Sequence, residues 1–228
     1  MDRLRDEDVS TTACTLLAPR PHDLLWTADT SGLSAPSALP AWATPEWLAF
    51  APVVVRREQV ADPDLIPVGL RGTTRSERFP AYLSRNAVAE TTPPELLADR
   101  AVWRAHARFI EFPAFKALEA SASPLDGTSL IWGPTGSVGF ALASGLPVLR
   151  VESDLDLVVR SFEPLTADQT ELLLALRSCA ICRIDIQIET GHGAFSLSEW
   201  AHGRRRVLLK TERGPFLTDD PWRQPGPA

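Results

Sequence analysis

The sequence predicts an α+β protein: a mixed sheet with helices on one face, preceded by a small β-rich or α+β N-terminal domain. Three observations lead there. Prolines crowd the first hundred residues, and each removes a backbone donor and fixes φ, so this half should be short strands and turns. Ile184, Ile186 and Ile188 alternate without a break with Arg183, Asp185, Gln187 and Glu189, the period of a strand with one apolar and one polar face. Between these regions lie helix signals, the clearest being Thr166 followed by Gln169, a capping box opening a helix through Glu171 to Arg177.

Taken in order, Pro52 to Arg56 reads as a strand and Val68 to Gly72 as a second short extended piece. Residues 1–90 form the predicted accessory domain, Thr91-Thr92-Pro93-Pro94 the joint, and 91–228 the catalytic domain. Pro94 to Ala120 has helical composition, with Pro113 expected to end or kink it. Leu130-Ile131-Trp132 reads as a strand leading into a glycine-rich turn, and Val138 to Ser144 as a short helix stopped by Gly145. Val151 to Arg160 is a strand by composition, as is Val207 to Lys210.

With 44% hydrophobic and 23% charged residues, the chain has the composition of an ordinary folded protein. No apolar run approaches the ~18 residues of a spanning helix, and Met1 to Asp8 carries charges of both signs without a signal-peptide core, so a cytoplasmic location is expected. The net charge of -6 argues against broad binding to nucleic acid or to anionic membranes. Cys179 and Cys182 have metal-ligand spacing, but the four histidines supply no matching pair, and the thiols are read as inert core residues.

The chemistry gathers in two places. Trp132 to Gly139 is a strand-turn-helix that lacks the lysine of a Walker A loop and the spacing of a dinucleotide fingerprint. What remains is Gly136-Ser137 at a helix start, whose free N–H groups and positive dipole end suit a phosphate. Asp154 and Asp156 stand two apart in an extended run and therefore share a face. Such a pair repels unless a cation lies between, and Mg²⁺ prefers a few carboxylates plus phosphate oxygens. Asp185 on the next strand could converge with them to make a phosphoryl-transfer site.

Gly136-Ser137, Asp154-Leu155-Asp156 and a later acid on a strand resemble the polymerase-β-like nucleotidyltransferase superfamily. The gap from Ser137 to Asp154 is longer than that superfamily usually shows, and Gly145-Leu146-Pro147 is expected to carry the extra residues as a loop. Closer still, the runs Trp132 to Phe140, Ala143 to Val148, Ser153 to Leu157, Arg183 to Gln187, Glu189-Thr190, Gly193-Ala194, Glu199-Trp200, Val207 to Thr211 and Asp220 to Trp222 resemble the malonate decarboxylase holo-acyl-carrier-protein synthase family. So do Arg20 to Asp23, Val53 to Arg57 and Pro67 to Gly72 in the first half.

The resemblance implies a Mg²⁺-dependent transferase that moves the phosphoribosyl-dephospho-CoA group from 2′-(5″-triphosphoribosyl)-3′-dephospho-CoA to a serine of the malonate decarboxylase acyl carrier protein, releasing pyrophosphate. It implies that Asp154 and Asp156 hold the metal, that Gly136 and Ser137 hold the triphosphate, and that Asp185 orients or deprotonates the serine. Arg56, Arg57, Arg71 and Lys210 are the cations in family-like segments available to the phosphates. Two other readings stay open. One is a metal-dependent nucleotidyltransferase acting on another protein, a small molecule or RNA, the last disfavoured by charge; the other is an inactive scaffold, disfavoured by the presence of all three acids.

Overall fold

The computed structural model describes residues 18–27, 29–99, 102–103, 106–178, 180–201 and 206–224. Among the described residues, two six-stranded sheets organise the fold. The first contains β1 (Leu24–Thr27), β2 (Leu33–Ser34), β3 (Val53–Val55), β4 (Leu65–Arg71), β5 (Arg78–Ser84) and β6 (Val88–Thr92), in the order β2-β5-β4-β3-β1-β6. All its pairings are antiparallel. Helix α1 (Pro45–Phe50) sits between β2 and β3, capped by the Thr44 hydroxyl, which accepts from the Trp47 N–H.

Pro67 and Pro80 do not interrupt the longest hairpin, in which β4 and β5 each run seven residues. The expectation of short strands therefore fails for this pair. Thr91 and Thr92, read as the joint, are the end of β6 and pair with β1.

The second sheet holds β7 (Ile131–Pro134), β8 (Leu155–Arg160), β9 (Ile184–Glu189), β10 (Ala194–Ser196), β11 (Val207–Thr211) and β12 (Gly214–Thr218), in sequential order from β12 to β7. Among the described residues only β8 and β9 pair in parallel, with a helix in the crossover that parallel strands need, so the sheet is mixed and the α+β reading stands.

The predicted helix from Pro94 is broken. Its pieces are α2 (Pro94–Leu97), a 3₁₀ turn at Ala107–Phe109, and α3 (Pro113–Asp126). Pro113 takes the first turn of α3, where its missing N–H costs nothing, so it starts a helix instead of kinking one. Then come α4 (Gly136–Ser144), α5 (Ala167–Arg177) with both halves of the Thr166/Gln169 capping box, and α6 (Leu197–Ala201). Among the described residues no helix is long and apolar enough to cross a membrane.

The core explains how the sheets meet. Leu155, Leu157, Val159, Ile184, Ile186 and Ile188 are buried with Phe115, Leu118 and Leu125 of α3 and Phe140 of α4. A separate cluster joins Leu25, Val53, Val55, Val68, Leu70, Ala81 and Leu83. Neighbours on a strand point to opposite faces, so Leu24 of β1 enters the first cluster while Leu25 enters the second. Charges bridge the same junction. Arg160 and Asp23, whose side chains are 4% and 3% exposed, lie 3.4 Å apart, and Glu95 of α2 takes both Arg160 and Arg20. Burial raises the Asp23 carboxyl above its ordinary range, against the pull of the Arg20 backbone N–H and of both arginines.

Cys182 is half-buried at the edge of the large core; Cys179, the other half of the pair, lies outside the described residues.

Candidate active site

The face of β8 and β9 opposite the helices carries the acids. Because Leu155 and Leu157 are buried, Asp156 must face the other way, and the alternation of β9 does the same for Asp185 and Gln187. In the parallel register Asp156 is the direct neighbour of Asp185. Asp154 lies one residue before β8, not on it, so the shared-strand reading extends one residue too far. Burial raises the Asp156 carboxyl above its ordinary range, and the like charges of Asp185 and then Asp154 add to it, against Arg78 and Arg71.

These residues open onto a cavity of about 760 Å³ between the two sheets. Its walls include Gly136, Asp156, Asp185, Arg56, Arg71 and Lys210, which brings most of the sequence-predicted residues to one place. A smaller recess of about 200 Å³ continues from it, lined by Asp154, Asp156, Asp185 and Ser137.

Helix α4 points its N-terminus at the acids. Thr135, the residue before it, makes no capping bond; its N–H and hydroxyl both turn to the Asp156 carbonyl, at 2.8 and 3.4 Å. The first-turn N–H groups therefore stay available to an anion. Gly136 has φ of 58°, and a Cβ there would fall within the Asp156 carboxylate. Only glycine lets the helix start approach this closely. At the other end Gly145, φ 67°, closes α4 with its N–H on the Ala141 carbonyl, as the sequence predicts.

The cations divide into two kinds. Arg71 crosses from β4 to lie 5.2 Å from the Phe140 ring centroid, and its Nε has no protein hydrogen-bond partner. Burial, with Arg78 beside it, pushes its guanidinium down to about 10 against the pull of Asp156, leaving it charged at neutral pH. Arg56 lines the cavity while paired with Glu58 at 2.5 Å. Arg57, expected at the phosphates, does not line the cavity; it is ion-paired to Glu189, with side chains 16% and 6% exposed. Both arginines follow the end of β3, and the chain there turns Arg56 to the cavity and Arg57 to Glu189.

Several cavity residues escaped the sequence reading. Arg183 donates to Oδ1 of the Asp185 carboxylate through both Nε and Nη2, at 3.2 and 3.1 Å. His22, with φ of 74°, meets Gln187 at 2.9 Å and faces Glu189 at 3.6 Å. Burial holds its imidazole below the ordinary range; Glu189 opposes this, and Arg57, Arg160 and Lys210 reinforce it. Arg183 and Gln187 sit on the same polar face as Asp185, so the period-two signal contained them.

Among the described residues no three Asp, Glu, His or Cys side chains gather closely enough to hold a metal ion alone. Asp154 and Asp156 could hold one with other oxygens completing the sphere.

Comparison with known proteins gives a consistent result. The family model for the phosphoribosyl-dephospho-CoA transferase MdcG N-terminal domain matches residues 20–94, and that for its C-terminal domain matches residues 98–221. Proteins named phosphoribosyl-dephospho-CoA transferase from Pseudomonas putida (strain GB-1) and Klebsiella pneumoniae subsp. pneumoniae are 43% and 41% identical, each over 90% of this chain and 96% of the relative. One from Pseudomonas aeruginosa is 41% identical over 90% of this chain and 94% of its own. No solved structure matches. The chain belongs to the MdcG family of phosphoribosyl-dephospho-CoA transferases.

Proposed function

We propose that this transferase is a nucleotidyltransferase that moves the phosphoribosyl-dephospho-CoA group from 2′-(5″-triphosphoribosyl)-3′-dephospho-CoA to a serine of the malonate decarboxylase acyl carrier protein, with release of pyrophosphate. The observation that carries the reading is the direct pairing of Asp156 with Asp185 against the open N-terminus of α4. A phosphate anchored on that helix start would meet two carboxylates from adjacent strands and the buried, charged Arg71.

The residues fit Mg²⁺. Asp156 is a largely buried carboxyl that its acidic neighbours disfavour as a charge, the circumstance a hard cation relieves. Two carboxylates plus phosphate oxygens make the donor set Mg²⁺ prefers. Bound there, the ion would supply Lewis-acid stabilisation of charge on the phosphoryl oxygens. Asp154 and Asp156 would hold it; the Gly136 and Ser137 N–H groups orient the donor phosphates; Asp185, hydrogen-bonded by Arg183, aligns the serine hydroxyl and takes its proton. The serine oxygen bonds to the α-phosphorus, the bond to the β-phosphate oxygen breaks, and pyrophosphate departs toward the arginines.

The division of labour between sheets follows the same geometry. In this reading the first sheet contributes Arg56 and Arg71 to the donor, and the second sheet contributes the acids. The test is incubation of the protein, Mg²⁺ and the triphosphoribosyl donor with either wild-type carrier or a serine-to-alanine carrier. The expected result is a mass gain on the wild-type carrier with stoichiometric pyrophosphate; no adduct on competent carrier sinks the proposal.

A further inference from the structure

The smaller recess beside the acids is built by two loops from opposite halves of the chain. One is the β4–β5 turn, residues 72–77. Its shape is fixed by Glu77, whose carboxylate accepts the Thr74 N–H at 2.8 Å and the Thr73 hydroxyl at 3.1 Å. The other is the long connection from α4 to β8, where Arg150 and Ser153 close a turn on each other through two bonds of 3.0 and 3.1 Å. The loops touch where Arg150 Nη2 reaches the Thr73 carbonyl at 3.5 Å.

The recess wall holds Arg71, Arg75, Arg78, Arg150 and Arg183 beside Ser137 and the acids. Arg183 is committed to Asp185. Among the described residues, Arg71, Arg75, Arg78 and Arg150 form no salt bridge, although Asp154, Asp156, Asp185 and Glu152 share the recess. Arg71 and Arg78 act on the Asp156 carboxylate at longer range, while Arg75 and Arg150 bring their guanidinium forks to the rim of the recess without a salt bridge, so a phosphate-type anion can take them. At about 200 Å³ the space is below the range of about 300–1,000 Å³ of pockets that enclose larger ligands. It suits a small, highly charged anion, not a nucleoside.

We propose that this recess is the subsite for the departing pyrophosphate, with Arg75 and Arg150 as its outer ligands and Arg71 and Arg78 shared with the main cavity. The proposal rests on the transfer reading above for its place in the reaction, but not for its ligand chemistry. Arg75 and Arg150 are both exposed, so their replacement leaves the packing of the protein intact.

The test is calorimetric titration of the whole protein with inorganic pyrophosphate, and separately with inorganic phosphate, in the presence of Mg²⁺. Expected are tighter binding of pyrophosphate than of phosphate, and a loss of about tenfold or more in pyrophosphate affinity for Arg75→Gln and for Arg150→Gln. Arg75→Lys should fall between wild type and Arg75→Gln, since it keeps the charge but not the fork. Arg213→Gln, on the distant β11–β12 turn, should bind as wild type does. Unchanged pyrophosphate affinity in both glutamine variants overturns the proposal, as does equal affinity for phosphate and pyrophosphate in the wild-type protein. A protein that binds pyrophosphate through these arginines yet never modifies the carrier keeps the subsite and loses the transfer reading.

Discussion

Gly136 and Asp156 are packed so closely that a single methyl group on the glycine would occupy the space of the carboxylate. The helix start that offers N–H groups and the strand that offers the acid are thus one object. Gly136→Ala should remove that contact and also strain the backbone, since φ of 58° costs an L-residue roughly 1–2 kcal/mol. The expected outcome is a modest loss of stability in urea melts with a fall in transfer rate of about 100-fold, because displacement of roughly 1 Å is enough for that. Ser137→Ala keeps the backbone N–H groups and should lose far less.

Asp156→Asn should stabilise the metal-free protein at neutral pH while abolishing transfer. The folded state raises this carboxyl, chiefly by burial and then by Asp185 and Asp154, so it favours the protonated form. The unfolded chain ionises first as pH rises, near 3.9, and the folded state loses stability from there up through the raised value. Thermal melts without metal at pH 7 should put the variant above wild type by about 2–4 °C per kcal/mol relieved, with the gap shrinking toward pH 3.5. A wild-type protein more stable than the variant at both pH values would contradict the strain.

Arg57 and Arg71 should fail in different ways. Arg57 is mostly buried against the buried Glu189, and removing one partner of such a pair costs up to about 3–5 kcal/mol, so Arg57→Gln should lower the denaturant midpoint. Arg71 faces the cavity with an unpartnered Nε, so Arg71→Gln should raise the donor KM or lower kcat with a smaller stability change. Steady-state kinetics beside urea melts separate the two; equal effects on both quantities would refute the distinction.

What could be read in the sequence was whatever rested on local periodicity. The alternation from Arg183 to Glu189 is β9, its isoleucines are buried, and the Thr166/Gln169 cap is formed. The α4 helix and its Gly145 stop follow from composition and from the freedom of glycine in the left-handed region. Long-range pairing was not legible. Strands β1 and β6 are short, and what makes them strands is a partner far away in the chain: their pairing joins Leu24 to Thr92. The broken region after Pro94 was misread because helical composition there is satisfied by packing α2 and α3 separately against the core.

At the site, residue types announced the acids and the glycine-serine pair, but not which arginine faces inward. Arg56 and Arg57 have the same chemistry and opposite fates, decided by which side of one extended stretch each occupies. Arg150 was invisible because its role depends on two loops meeting across the junction between the sheets.

Intact-mass analysis of the acyl carrier protein, after incubation with the triphosphoribosyl donor and Mg²⁺, bears most directly on the metal-assisted transfer. Wild type and the Asp154→Asn, Asp156→Asn and Arg57→Gln variants are run side by side below their melting temperatures. Expected is one added phosphoribosyl-dephospho-CoA group with wild type and with Arg57→Gln, and none with either aspartate variant. Full modification by Asp154→Asn or Asp156→Asn would contradict a metal held by these two carboxylates.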